Sequence, residues 1–324
     1  MIDIVYPLIK AKLLGKKIPY IVELYITNKC NMNCKYCYVK KTSKELTTEE
    51  WIARIDQLYS LGTRVFSILG GEPLLKKGID RIINHILEKK CICNLITNGT
   101  NIHKHIDTIK DIGRVFVSYP NEIDRKPGTK NRILDNIEMA LSKGIKVSLI
   151  FTVTKNNIKE YRPALEYARK IGAKILPAEC VGGYEDALSM EETFRFWEQT
   201  KEYKKEYPII KPTHIINRML KTSIRHDEYI YNRCVGYPKC QFGRYMCIVL
   251  PDGTYDSCCM KYGKYKAVTW EDLINKRHCD ICRNLLQNTT NETIGLDYET
   301  IKIILKEWTD ERKSQEDKKR AKEK

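Results

Sequence analysis

Three cysteines fall within eight residues, Cys30-Asn31-Met32-Asn33-Cys34-Lys35-Tyr36-Cys37, and this spacing constrains the chain more than any other stretch. Soft thiolates on so short a loop suit an iron–sulfur cluster, because each sulfur is directed inward. A four-iron cube has four ligand positions, so three protein sulfurs leave one iron open to an exchangeable ligand. The same logic governs catalytic zinc, where an incomplete protein shell leaves a position for chemistry. A zinc knuckle or a disulfide is the competing reading. Zinc asks for a fourth ligand, and no histidine lies near. Disulfides do not fit a chain whose start lacks a secretory pattern.

The loop follows a predicted strand, Tyr20 to Thr27, whose apolar run is interrupted only by Glu23 within Ile21 to Ile26. Thr47-Thr48-Glu49-Glu50 reads as a capping box opening a helix to about Leu61, with Gly62 ending it. A strand over Arg64–Leu69 follows, and strand–helix–strand order with this crossover length implies parallel pairing. The pattern continues with a helix from Lys76 to Lys90, a strand from Cys91 to Thr97, and a helix from Ile102 to Ile112. A strand over Arg114–Ser118, a helix over Asn131–Lys143 and a strand over Ile145–Val153 come next. A helix over Ile158–Ile171 and a strand over Ala173–Leu176 complete six strand–helix units. These predict an α/β fold, an open parallel barrel whose ligands bind at the carboxyl ends of the strands.

Three loops fall at those ends. Gly70-Gly71-Glu72-Pro73 follows the second strand; its glycines permit close backbone approach to a ligand, and its carboxylate can pair with an ammonium group. Thr97-Asn98-Gly99-Thr100 follows the third strand, an ordinary turn when taken alone. Ser118 ends the fourth.

Taken together, the cysteine loop with Tyr36 before its third cysteine, and Gly70 to Pro73 one strand later, resemble the radical S-adenosylmethionine (SAM) superfamily. The resemblance implies a partial (β/α)6 barrel with Cys30, Cys34 and Cys37 on a 4Fe–4S cluster. It implies that SAM chelates the open iron, with Tyr36, Gly70, Gly71, Glu72, Pro73, Thr97, Asn98 and Ser118 around it. One electron from the cluster would cleave the sulfonium to methionine and a 5′-deoxyadenosyl radical, which abstracts hydrogen from an unactivated C–H bond. The electron would come from a donor such as flavodoxin or ferredoxin. Many relatives with auxiliary clusters carry an Asp-Gly pair soon after the serine, whereas this chain reads Ser118-Tyr119-Pro120-Asn121.

Cysteines become dense again from Cys234. Cys240, Gly253 and Cys258 follow C-x12-G-x4-C, with Pro251-Asp252-Gly253 as a hairpin turn, and Cys279 and Cys282 form C-x2-C. Four cysteines at this spacing also describe a zinc ribbon. The region resembles the SPASM domain in its short twitch form, which implies a second, auxiliary 4Fe–4S cluster closed by Cys240, Cys258, Cys279 and Cys282. No cysteine follows Cys282, so the longer two-cluster version is not expected. Among the remaining thiols, Cys91 and Cys93 read as small core residues. Cys180, Cys234, Cys247 and Cys259 are candidate hydrogen-atom donors, with Cys234 preferred.

The expected organisation is a basic lead-in at 1–19, a radical SAM core at 20–178 and a helical linker region at 179–233. A twitch-like auxiliary domain at 234–290 and a terminal helix with a charged tail at 291–324 follow. No peptide-recognition domain is expected ahead of the barrel, which lowers the peptide reading without excluding it. The resemblance implies oxidation or epimerisation of a peptide or small metabolite.

At 324 residues, with 13 cysteines and neither a signal-peptide pattern nor a run long enough to span a membrane, a cytoplasmic enzyme is expected. The net charge of +16 admits an acidic partner or a lysine-rich bias on solvated helix faces. The lysines are scattered and no RNA-binding pattern occurs, so nucleic acid is not an expected partner. Ile4 to Leu14 mixes apolar residues with lysines; a helix capping the barrel end is the preferred reading, and a membrane-surface helix or a lipid substrate the alternative. A non-catalytic iron–sulfur or zinc protein binding nucleic acid is the rival class; it would show steep salt dependence and no SAM cleavage.

Overall fold

Alternating burial along the first four strands sets the architecture of this chain. The computed structural model describes residues 2–39, 44–121, 128–180, 185–210, 216, 242–257 and 266–275. Six parallel strands form the sheet: β1 (Ile21–Tyr25), β2 (Val65–Leu69), β3 (Ile92–Thr97), β4 (Arg114–Ser118), β5 (Val147–Val153) and β6 (Lys174–Glu179). On the first four, alternate residues such as Val22, Leu24, Phe66, Ile68, Cys93, Leu95, Val115 and Val117 are fully buried. They pack with Trp51, Ile55 and Leu58 of α2 (Thr48–Ser60) and with Ile79, Ile82, Ile83 and Ile86 of α3 (Ile79–Glu88). Each such aliphatic side chain contributes about 1.5–3 kcal/mol on burial. The opposite face is more polar: Glu23, Ser67 and Asn94 occupy facing register positions and keep part of their surface accessible.

The remaining helices are α1 (Ile2–Leu13), α4 (Ile106–Ile109), α5 (Thr129–Ser142), α6 (Tyr161–Lys170) and α7 (Met190–Tyr203). The capping box at α2 forms as expected: the Thr47 side chain accepts from the Glu50 N–H, and the Glu50 carboxylate accepts from the Thr47 N–H at 2.7 Å.

Two helices depart from the expectation. The predicted Lys76–Lys90 helix begins later, at Ile79, behind a 3-10 turn over Pro73–Leu75. Gly78 adopts φ +74° there, and a Cβ on it would sit 2.5 Å from the Thr48 hydroxyl. The predicted Ile102–Ile112 helix is broken into a 3-10 turn, Ile102–Lys104, and the short α4. His105 sits at the break, its ring bonded to the Asp80 carboxylate at 2.9 Å and to the Leu74 carbonyl at 3.1 Å. These ties to neighbouring elements outweigh the local helical pattern. β6 runs past the expected end at Leu176 and through Pro177. It lies at the sheet edge, where a missing N–H is tolerated.

The sheet also grows at its other edge. β7 (Met246–Val249) pairs parallel with β1, and β8 (Tyr255–Asp256) returns antiparallel to it, giving the order β6-β5-β4-β3-β2-β1-β7-β8. The hairpin turn expected at Pro251-Asp252-Gly253 is present: Gly253 has φ +83°, and the Leu250 N–H donates to the Thr254 carbonyl at 2.8 Å. The last described helix is α8 (Trp270–Asn275), whose Trp270 and Leu273 are buried.

Candidate active site at the carboxyl ends of the strands

The cysteine loop leaves β1 and is clamped by the two loops beside it. Gly70 and Gly71 lie directly against the backbone entering the cysteine loop. A Cβ on Gly70, at φ +140°, would fall 2.4 Å from the Thr27 carbonyl, and one on Gly71 2.3 Å from the Lys29 carbonyl. The Gly71 N–H donates to the Thr27 carbonyl and the Glu72 N–H to the Lys29 carbonyl, both at 2.7 Å. The close approach these glycines permit is therefore to the chain's own backbone.

Glu72 is fully buried and works as a strut. Its carboxylate accepts from the Thr97 hydroxyl at 2.6 Å, the Asn98 N–H at 2.7 Å and the Leu74 N–H at 3.1 Å. Asn98, 8 % exposed, reaches the cysteine loop: its amide donates to the Asn31 side-chain oxygen at 2.8 Å and lies 3.8 Å from the Cys30 sulfur. Asn31 in turn donates to the Thr100 hydroxyl at 2.9 Å. Thus the loops after β1, β2 and β3, three stretches chosen from sequence, meet in one hydrogen-bonded unit. Ser118 stands further round the mouth at the end of β4, opposite Ile150 of β5.

Sequence reading missed the residues that brace this unit. Glu45 accepts from the Thr27 hydroxyl at 2.9 Å and the Asn28 N–H at 2.8 Å, and pairs with Lys76 at 3.5 Å. Those contacts hold its carboxyl below the usual range against the opposing effect of desolvation. Asn136 of α5 is buried and donates to the Gly99 carbonyl at 2.8 Å and the Thr100 carbonyl at 3.2 Å. A polar residue on the core face of a helix was the signal that marked Asn136.

Cys30 and Cys37 are exposed, and Cys34 is half-buried beside the core. Desolvation raises the Cys30 thiol, while the Met32 N–H at 3.4 Å and the Asn98 amide oppose it by donating toward sulfur. Among the described residues no three His, Cys, Asp or Glu side chains converge as ligands of one metal ion. A cluster asks for something different, because each cysteine binds a separate corner of the cube. Three soft donors on one turn, with the Met32 N–H and the Asn98 amide directed at the Cys30 sulfur, fit that demand.

The other thiols separate clearly. Cys91 and Cys93 are buried core residues as expected, and desolvation pushes Cys93 up to about 12. Cys247 lies on β7, fully buried in the helix-side core, and desolvation raises its thiol too. That burial weighs against the expectation that it donates hydrogen to a substrate. Cys180 follows β6 and is partly exposed. Cys234, Cys240, Cys258, Cys259, Cys279 and Cys282 lie outside the described residues.

The sequence agrees with the geometry. Residues 24–168, which hold all three loops, match the profile of the radical SAM superfamily. This stretch is a radical SAM domain. Two curated relatives illustrate the match. An Fe-coproporphyrin III synthase of Methanosarcina barkeri is 31% identical over 153 residues, 43% of this chain and 38% of that protein. A GTP 3′,8-cyclase of Helicobacter pylori is 32% identical over 173 residues, 48% of this chain and 53% of that one. The matches thus span about half or less of these relatives' own lengths. Among solved structures, Streptococcus suis SuiB bound to its precursor peptide SuiA superposes with a TM-score of 0.62 at 16% identity, over 83% of this chain and 67% of that one. That likeness is one of fold. The radical SAM superfamily uses a 4Fe–4S cluster and SAM, and those are the cofactors of this domain. No helix among the described residues is long and apolar enough to cross a membrane.

Proposed function

We propose that Cys30, Cys34 and Cys37 ligate the 4Fe–4S cluster of a radical SAM enzyme that oxidises or epimerises a peptide or small metabolite. The observation carrying this reading is the hydrogen-bonded unit formed by the loops after β1, β2 and β3. It holds the cysteine turn at the strand ends, where α/β folds bind their ligands. When bound, the cluster and SAM supply a 5′-deoxyadenosyl radical by one-electron cleavage.

The chain's own residues position that chemistry. Gly70 to Pro73 form the wall proposed for the methionyl end of SAM. Glu72 serves there as a positioning residue, since its buried carboxylate already holds Thr97, Asn98 and Leu74. Tyr36 and Ser118 complete the proposed contacts. A peptide substrate is supported by the fold shared with SuiB, which was solved with its precursor peptide. Cys240, Cys258, Cys279 and Cys282 are the proposed ligands of an auxiliary 4Fe–4S cluster that accepts the substrate electron in an oxidation. Cys234 is the proposed hydrogen donor if the outcome is epimerisation. The external electron donor is proposed to be a flavodoxin or ferredoxin.

The test is to reconstitute the protein anaerobically with iron and sulfide, add SAM and reductant, and follow 5′-deoxyadenosine as fractions of a cell extract are supplied. Stimulation that disappears on protease treatment supports a peptide. Protease-resistant stimulation in the aqueous phase assigns a small metabolite, and stimulation that moves into organic solvent overturns both in favour of a lipid. Cys279→Ala is expected to lower iron by about four per chain; unchanged iron contradicts the auxiliary site.

A further inference from the structure

Helix α1 is apolar on two faces, and among the described residues only one of them is covered. Leu8 and Ala11 are each 5 % exposed. Leu8 packs with Tyr20, Tyr25, Met246 and Ile248 against β1 and β7, so that face caps the sheet as a core helix does. On the other side Val5, Ile9 and Leu13, spaced four apart, form a ridge with Tyr6 beside it. Their exposures are 39 %, 45 % and 82 % along the ridge and 56 % for Tyr6, and Leu14 just beyond is 57 % exposed. Among the described residues, five of the eight exposed large apolar side chains fall within these ten positions. Scattered exposed apolar residues need no explanation, whereas a contiguous patch marks an interaction surface.

Cations flank the ridge. Lys10 and Lys16 are exposed, Lys10 with its ammonium 5.8 Å over the Tyr6 ring. Lys12 leans over the Tyr245 ring at 5.2 Å, and Lys17 donates to the Ile274 carbonyl at 3.1 Å, which fixes both at the edge of the helix. A convex apolar ridge bordered by long cationic side chains has the form of an interfacial helix, whose apolar edge enters the acyl boundary while lysines reach anionic headgroups. The chain's net charge of +16 adds a favourable long-range field. A second copy fits poorly, because ridge-to-ridge contact would bring lysines against like lysines.

We propose that α1 docks the protein on an anionic membrane surface through Val5, Tyr6, Ile9, Leu13 and Leu14. The inference is independent of the cofactor assignment and of the substrate. The experiment is flotation of the full-length, cluster-loaded protein with vesicles of phosphatidylcholine alone or with about one-third phosphatidylglycerol. Co-flotation is expected with the anionic vesicles and is expected to weaken at high salt. Ile9→Glu with Leu13→Glu should reduce bound protein by at least about tenfold. Lys10→Gln and Lys16→Gln should each reduce it about fivefold on anionic vesicles only. Both apolar sites are exposed, and unchanged thermal unfolding and SAM cleavage would show that the fold survives. Absence of flotation overturns the proposal, as does flotation that the double Glu variant leaves unchanged. Self-association, or binding to an acidic protein, that the same variant abolishes while vesicles fail to bind reassigns the ridge and likewise overturns it.

Discussion

Gly71 and Glu72 show how single residues set the geometry around the cysteine turn. A methyl group at Gly71 would stand 2.3 Å from the Lys29 carbonyl, closer than any tolerable contact, and backbone cannot swing aside as a side chain can. Gly71→Ala is therefore expected to displace the cysteine loop, with at least tenfold less iron retained after reconstitution. Wild-type iron content would show that the contact relaxes harmlessly. Glu72→Gln replaces one carboxylate oxygen by an amide donor, which then faces either the Asn98 N–H or the Thr97 hydroxyl and Leu74 N–H, and this is expected to cost about 1–3 kcal/mol. A lowered unfolding midpoint together with reduced SAM cleavage is the expected readout; an unchanged midpoint contradicts the strut role. Sequence reading selected both residues, but for contact with a ligand. The contacts to Lys29 and Thr97 join loops far apart in the chain, and no local pattern reveals them.

Glu23 presents a different case at the same scale. It lies on the less apolar face of β1, opposite Ser67 of β2 and Ile248 of β7, and desolvation pushes its carboxyl up to about 7 from an ordinary 4.5. The folded state holds that proton more tightly than the unfolded one. This residue's contribution to stability is therefore fully present below about pH 4.5. It is lost progressively as pH rises to about 7, a change on the order of 3 kcal/mol. Glu23→Gln is expected to raise the unfolding midpoint by several degrees at pH 8 and to change it little at pH 4. Equal effects at both pH values would contradict the assignment.

At the level of elements, the strands read easily and the connections did not. β4 was legible to the residue, and β1, β2 and β3 nearly so, because each is a short apolar run bounded by turn residues. The break in the predicted Ile102–Ile112 helix escaped because His105 and Thr108 bond Asp80, on a different helix. β7 escaped as a member of the barrel sheet because its four residues pair with β1, more than two hundred positions earlier. Such pairing leaves no trace in local periodicity. Asn136 links α5 to the loop after β3 and makes an element-level test. Asn136→Ala strips donors from the Gly99 and Thr100 carbonyls and is expected to destabilise the protein by about 1–3 kcal/mol. Denaturant unfolding measures it; a loss below about half a kcal/mol would show that the tie is dispensable.

For the whole molecule, the legible part was the family, since the cysteine spacing and the Gly70 to Pro73 loop are written locally. Substrate identity was not legible, because it depends on surfaces assembled from distant segments. The central claim is that Cys30, Cys34 and Cys37 hold a cluster through which this chain cleaves SAM. The most direct test compares wild type with Cys34→Ala after anaerobic reconstitution, measuring iron per chain and 5′-deoxyadenosine formed with SAM and reductant. The account predicts reductant-dependent product from the wild type, with about four fewer irons and at least tenfold less product in the variant. Equal product from the two proteins, or none from a fully loaded wild type, would contradict it.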